Sequence, residues 1–200
     1  MIPVSWTVMI PVKPPLVGKS RLGPATPERA ALAAAIALDT IGAVARARGV
    51  GRVMVVTADA SFAQRLPGGV EVVAEPRPAG IDAALSRAAA RAGDATPRAA
   101  LPADLAALQP EELAAALEDA VAWSRAVVPD AEGRGTTLLT AGAGVPWRSA
   151  YGPESFSRHV TLGCHALTIA EGSGLRCDLD TPAQLVAARG GLGARTLLAS

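Results

Sequence analysis

Asp178 and Asp180, one leucine apart in the run Leu175-Arg176-Cys177-Asp178-Leu179-Asp180-Thr181-Pro182, are the side chains best placed by type and spacing to do chemistry. On an extended segment residues i and i+2 share a face, so two carboxylates in this pattern can grip one cation. Carboxylate oxygens suit Mg²⁺, which keeps several waters and bridges to substrate phosphates, and this points to phosphoryl or nucleotidyl transfer. Taken alone the same residues also describe a surface turn and a helix cap, since Thr181 and Pro182 form an N-cap and a first-turn proline. What else the chain supplies decides between the two.

Three other segments bear on that choice. Pro11-Val12-Lys13-Pro14-Pro15-Leu16-Val17-Gly18-Lys19-Ser20-Arg21 follows an apolar run. It fails as a Walker A loop, because Lys13 stands where the leading glycine would have to be. What remains is a proline-stiffened loop whose Lys13, Lys19 and Arg21 either cover a triphosphate or face solvent. Asp104, in Leu101-Pro102-Ala103-Asp104-Leu105, is an acid at the end of another apolar run, and such a group is either solvated or employed. With Asp178 and Asp180 it makes a three-carboxylate cradle for one or two Mg²⁺ ions. Finally, Asp130-Ala131-Glu132-Gly133-Arg134-Gly135-Thr136-Thr137 is followed by Tyr151-Gly152-Pro153-Glu154-Ser155. Gly133 and Gly135 permit close approach of backbone to a ligand, and Thr136 offers a hydroxyl. Gly152 and Pro153 open a helix whose early amides, with Ser155, form an anion site suited to a small phosphorylated acid. His159 and His165 lie too far round a helix to share a metal and are read as partly buried structural histidines.

The elements that must position these groups alternate. Val- and Ile-rich runs at 7–12, 52–57, 70–74, 99–101, 124–128, 137–140 and 166–169 predict strands. Ala-rich segments at 27–48, 61–66, 81–92, 110–123, 154–164 and 182–189 predict helices. This order describes an α/β domain built on a largely parallel sheet, with ligands gathered beyond the carboxyl ends of its strands. A single domain over residues 1–200 is expected, with 190–200 as a flexible tail because it holds three glycines in eleven residues.

Composition narrows the function. The net charge is +1 and only 3% of residues are aromatic, so there is neither a basic tract nor a stacking set for nucleic acid. The two cysteines form no CxxC pair, which suits a reducing compartment. The longest apolar run, Ala30 to Leu38, is well short of the roughly 20 residues a membrane span needs. A soluble, cytoplasmic protein with neither membrane nor nucleic acid as partner is expected.

The ordered set IPVK…GKSRL, LPADL, PDAEGRGTTLL, YGPESFSRH and GLRCDLDTPAQL resembles, over residues 8–188, the small guanylyltransferases of coenzyme F-420 biosynthesis. That family comprises 2-phospho-L-lactate guanylyltransferase and phosphoenolpyruvate guanylyltransferase. The resemblance implies a Rossmann-like, nucleotide-diphospho-sugar-transferase-like fold, with three α/β/α layers and a mostly parallel mixed sheet. It implies transfer of GMP from GTP to phosphoenolpyruvate, or alternatively to 2-phospho-L-lactate, with release of pyrophosphate. Asp104, Asp178 and Asp180 fall on the family's metal-binding aspartates, with Asp104 also counted as catalytic beside Lys19 and Arg21. Thr136, Gly152 and Ser155 fall on its phospho-acid contacts, and Lys13, Lys19 and Arg21 on its phosphate loop. Asp82 stands where the family usually has asparagine; as a carboxylate it can accept from guanine N1 and N2 hydrogens. Mg²⁺ is the implied cofactor and a monomer or homodimer the implied assembly. A non-catalytic nucleotide-binding regulator on the same fold is the alternative outside enzymes.

Overall fold

A computed structural model describes residues 4–15 and 22–200. Seven strands form one sheet: β1 (Trp6–Val12), β2 (Val50–Thr57), β3 (Val70–Ala74), β4 (Arg98–Ala100), β5 (Arg125–Pro129), β6 (Thr136–Ala141) and β7 (His165–Ala166). Their spatial order is β3-β2-β1-β4-β6-β5-β7. β1 lies parallel to β2 and β4, β2 to β3, and β5 to β7, whereas β6 runs antiparallel to both β4 and β5. The largely parallel sheet read from the alternation of runs is observed, and it is mixed as the resemblance implies.

Among the described residues the helices are α1 (Pro27–Arg46), α2 (Ala60–Ala63), α3 (Ile81–Ala92), α4 (Pro110–Ala120), α5 (Ser155–Thr161), α6 (Pro182–Ala187) and α7 (Ala194–Ala199). The two-residue period of a strand sorts the core into two layers. Val8 and Ile10 of β1 join Leu38 and Ile41 of α1 and Leu113 and Leu117 of α4 on one face. Met9 joins Met54, Ala100 and the Ala84, Leu85 and Ala88 ridge of α3 on the other. Both faces are covered, which is why these strands are continuous apolar runs without polar alternation.

Local chemistry sets the helix ends. The Thr26 side chain accepts from the Arg29 amide at 3.2 Å and Pro27 opens α1. The expected Thr181 cap on α6 is present and is reciprocal: Thr181 Oγ1 accepts from the Gln184 amide at 3.2 Å, while Gln184 Oε1 accepts from the Thr181 amide at 2.8 Å.

The last eleven residues depart from the expected flexible tail. After a 3-10 turn at Arg189–Gly191, α7 folds back on α1. There the buried Thr196 gives its amide and its hydroxyl to Asp39 Oδ2, at 2.7 and 2.8 Å. The anchor is a polar residue on α1 facing a polar residue on α7, so hydrophobic periodicity carries no trace of it. Among the described residues no helix is long and apolar enough to cross a membrane.

Candidate active site

Two clusters of predicted residues form at the carboxyl ends of the strands. The first gathers the aspartates. Asp104 follows β4, and its carbonyl accepts a hydrogen bond from the amide of Leu179 at 3.1 Å. That bond lays the Asp178-Leu179-Asp180 segment against Asp104 although the two are far apart in sequence. The segment leaves a 3-10 turn at Gly174–Arg176 and belongs to no strand, so the expected extended segment is an irregular stretch pinned on both sides. Upstream, Glu112 Oε1 of α4 accepts from the Gly174 amide at 3.0 Å. Only glycine can occupy position 174, because a Cβ there would lie 2.2 Å from the Ala107 carbonyl oxygen. Downstream, Gln184 Oε1 holds the Asp180 amide at 2.9 Å.

The aspartates are close enough to feel one another. Burial pushes the Asp178 carboxyl up to about 6, and Asp104, Asp180 and Asp130 add to the rise in that order. Among the described residues, however, no group of three or more Asp, Glu, His or Cys side chains is drawn tightly enough to hold a metal ion. The three-carboxylate cradle is thus an open acidic cluster and not a closed ligand shell. Its chemistry nevertheless fits a hard divalent cation: the donors are all anionic oxygens, and a cluster that raises its own proton affinity is one whose charge a cation offsets.

Asp104 and Asp180 line a cleft of about 240 Å³ together with Lys13, Val12, Ile81 and Pro102. Lys13, exposed just past β1, is therefore brought to the acids as the basic-loop reading requires. Lys19 and Arg21 lie outside the described residues. A separate groove of about 460 Å³ between α1, α6 and α7 shares no residue with this cleft.

The second cluster joins the start of β6 to α5. Thr136, Ser155 and His159 are 7%, 2% and 0% exposed. The backbone amide of Ala150 donates to His159 Nε2 at 2.9 Å. Nε2 must then be the unprotonated nitrogen, so Nδ1 carries the proton and donates it to Thr136 Oγ1, 2.9 Å away. Ser155 Oγ donates to the same oxygen at 3.2 Å. With both lone pairs of Thr136 engaged, its own hydroxyl proton is left to point elsewhere. Burial pushes the His159 imidazole down to about 4, which keeps this tautomer neutral.

Some predicted details change here. The early amides of α5 were expected to receive an anion, but the Ser155 amide bonds Gly152 at 3.1 Å and the Phe156 amide bonds Arg134 at 3.0 Å. Gly135 was expected to admit a ligand; its close neighbour is Asp130, whose Oδ2 accepts the Gly135 amide at 2.7 Å and would lie 2.2 Å from any added Cβ. Asp82, expected near the guanine, sits in the first turn of α3 and accepts the Tyr151 amide at 3.1 Å, fastening the Gly152 loop to that helix.

The sequence reading passed over three residues that the structure makes prominent. His159, a structural histidine by its sequence pattern, sets the polarity of Thr136. Asp130 holds the β5–β6 turn and adds to the acidic field at Asp178. Arg176 donates to the Asp130 carbonyl at 2.9 Å and so ties the aspartate segment to the turn that carries Thr136. Asp130 and His159 stand in the motifs PDAEGRGTT and SFSRH, but their partners lie 46 and 23 positions away.

A mostly parallel sheet with one reversed strand, with acids and a lysine gathered beyond β1 and β4, is the architecture of a nucleotidyltransferase. A nucleotidyl transferase from Methanothermobacter matches with a TM-score of 0.67 at 18% identity, over 98% of this chain and 99% of that one. A 4-diphosphocytidyl-2C-methyl-D-erythritol synthase matches with 0.67 at 17% identity, over 94% of this chain and 98% of that one. Within this class the chain belongs to the CofC-like guanylyl transferase family, which it matches over residues 6–167. It is 43% identical to the phosphoenolpyruvate guanylyltransferase of Thermomonospora curvata, over 96% of this chain and 87% of the relative. It is 45% identical to that of Salinispora arenicola, over 96% of this chain and 92% of the relative.

Proposed function

We propose that this protein transfers GMP from GTP to phosphoenolpyruvate, forming enolpyruvoyl-2-diphospho-5'-guanosine and pyrophosphate in coenzyme F-420 biosynthesis. The observation that carries the reading is the hydrogen bond from Leu179 to Asp104, which brings the acids together beside Lys13. The names borne by the relatives in Thermomonospora and Salinispora support the choice of acceptor.

A phosphate oxygen of the acid attacks the α-phosphorus of GTP. The bond from that phosphorus to the α–β bridging oxygen breaks, and its electron pair leaves with pyrophosphate. The attacking oxygen is already ionised at neutral pH, so no side chain has to remove a proton. The protein's task is then positioning and charge neutralisation. Asp104, Asp178 and Asp180 would hold Mg²⁺, which when bound neutralises phosphate charge and polarises the phosphoryl group under attack. Lys13 offers a point charge to the triphosphate, and Lys19 and Arg21 are proposed to meet the departing pyrophosphate. Thr136 directs its hydroxyl proton to an oxygen of the acid, with Gly152 and Ser155 closing the same pocket. Asp82 positions that pocket through Tyr151.

Incubation with Mg²⁺, GTP and either phosphoenolpyruvate or 2-phospho-L-lactate tests the proposal. Pyrophosphate release and a guanylylated product by mass are expected with phosphoenolpyruvate. Product with phospholactate alone would reassign the acceptor. Tight GTP retention without product from either acid would make the protein a non-catalytic nucleotide-binding regulator.

A further inference from the structure

A different set of charged groups collects at the opposite end of the strands. Arg98 opens β4 and Arg125 opens β5, and both are paired in register with Ala141 of the intervening β6. Residues directly across a ladder share a face, so the two guanidiniums stand side by side over a methyl group, on the α3 side of the sheet. They are 3% and 8% exposed. Each gives one nitrogen to a carbonyl of the loop after β6, Arg98 to Val145 and Arg125 to Pro146. Among the described residues neither has a carboxylate within ion-pair distance. Asp94 is close enough to offset part of the Arg98 charge, while Arg125 opposes it.

The donors are left incomplete. Arg98 Nε is buried without a hydrogen-bond partner, and so is the indole Nε1 of Trp147. Both residues line one cleft of about 340 Å³, together with Ser86, Ala89 and Asp94. Buried N–H groups are nearly always satisfied, and a buried cation whose charge is only partly offset is costlier still. Two unsatisfied donors on residues of one cleft, one of them a guanidinium whose charge Asp94 offsets only in part, call for an acceptor that also carries negative charge. A single water would satisfy the nitrogens and leave the charge.

We propose that this cleft is a second binding site, for a small oxyanion with a phosphate or carboxylate head that accepts from Arg98 Nε and Trp147 Nε1. Asp94 at its edge disfavours a large polyanion, so a compact head carrying one or two charges is the occupant. The acids of the active site lie past the other end of β4, which makes the cleft an independent site.

Inorganic phosphate and acetate are the probes. The full chain, without GTP or Mg²⁺ and in low-chloride buffer, is titrated with each while tryptophan fluorescence and Tm are followed. Saturable binding is expected, and the tighter of the two probes identifies the head. Arg98→Met should weaken it by about tenfold or more, the scale of a hydrogen bond between charged groups, and Trp147→Phe by several-fold. Lys13→Ala, which alters the active-site cleft, should leave it unchanged. Should Arg98→Met not fold, Trp147→Phe decides, since it keeps the ring and removes one donor. A linear, unsaturable response overturns the site, as does unchanged affinity in a folded variant of either residue or loss of binding in Lys13→Ala.

Discussion

The two halves of the active site are built on opposite principles. Around Thr136 the side chains are held by one another: Ala150 gives to His159, His159 and Ser155 give to Thr136, and all three side chains are buried, with the Thr136 hydroxyl proton left over. Around Asp178 like charges face one another and lift its proton affinity. A satisfied network is rigid, and a cluster of like charges gains from a bound cation. The contrast suits the proposed acid-binding pocket to preorganisation and the aspartate cluster to the proposed divalent cation. Arg176, bonded to the Asp130 carbonyl, is the mechanical link between them.

The largest effects should come from the aspartate cluster. Asp178→Asn and Asp104→Ala are each expected to lower turnover at least about 100-fold, the scale of losing a key electrostatic element. The folded state should tell the opposite story. Removing one of several repelling charges should leave the metal-free Tm of Asp178→Asn equal to or above that of the parent. Near-normal turnover in both variants would take the carboxylates out of the reaction, and a sharply lowered Tm in Asp178→Asn would mean the cluster is already neutralised.

The satisfied half should respond in binding. Thr136→Val keeps the shape of the side chain and removes its hydroxyl, so it should raise the KM for the acid acceptor roughly tenfold with a smaller change in kcat. It strands the donors of His159 and Ser155, and a Tm loss of several degrees should accompany it. His159→Asn retains a donor near the Nδ1 position but loses the acceptor for Ala150. It should raise KM by a few-fold, with kcat nearly preserved. Because the buried imidazole is held down to about 4, below its ordinary 6.5, its contribution to stability is complete above 6.5 and is lost only as pH falls toward 4. The KM for the acid should accordingly show no inflection from this residue between about pH 6.5 and 8. A histidine inflection there would show that the tautomer assigned from Ala150 is wrong.

What the sequence disclosed follows the same division. The fold was legible because both faces of the sheet are buried, so strands and helices appear as clean apolar runs; α3 was bounded to the residue at Ile81 and Ala92. The aspartates were legible because their type and spacing are chemically peculiar even without partners. Thr136 and Ser155 were named, but the residue that orients them was not, since His159 acquires its role from a backbone amide that no side-chain pattern encodes. The expected anion site at the start of α5 failed for the related reason that its amides are taken by Gly152 and Arg134. The folded tail was hidden because Asp39 and Thr196 lie 157 positions apart and meet through polar atoms alone.

The smallest effect sharpens the comparison most, because it separates the halves by pH alone. The Asp178 carboxyl is raised in the folded protein from an ordinary 3.8 to about 6. A group raised on folding contributes stability that is fully present below its unfolded value and lost as pH climbs through the folded value. In metal-free protein this carboxyl therefore favours the folded state near pH 4 and ceases to do so above about 6. A divalent cation held by ionised carboxylates acts in the reverse sense, since protons compete with it. Saturating Mg²⁺ should raise Tm by about 2–4 °C at pH 7.5, which is the shift that roughly 1 kcal/mol produces in a domain of this size. The gain should shrink as pH is lowered through 6 and be absent at pH 4.5. Asp178→Asn should lose most of it at every pH, whereas His159→Asn should keep it whole. A Mg²⁺ effect that ignores both pH and Asp178 would place the cation elsewhere on the chain.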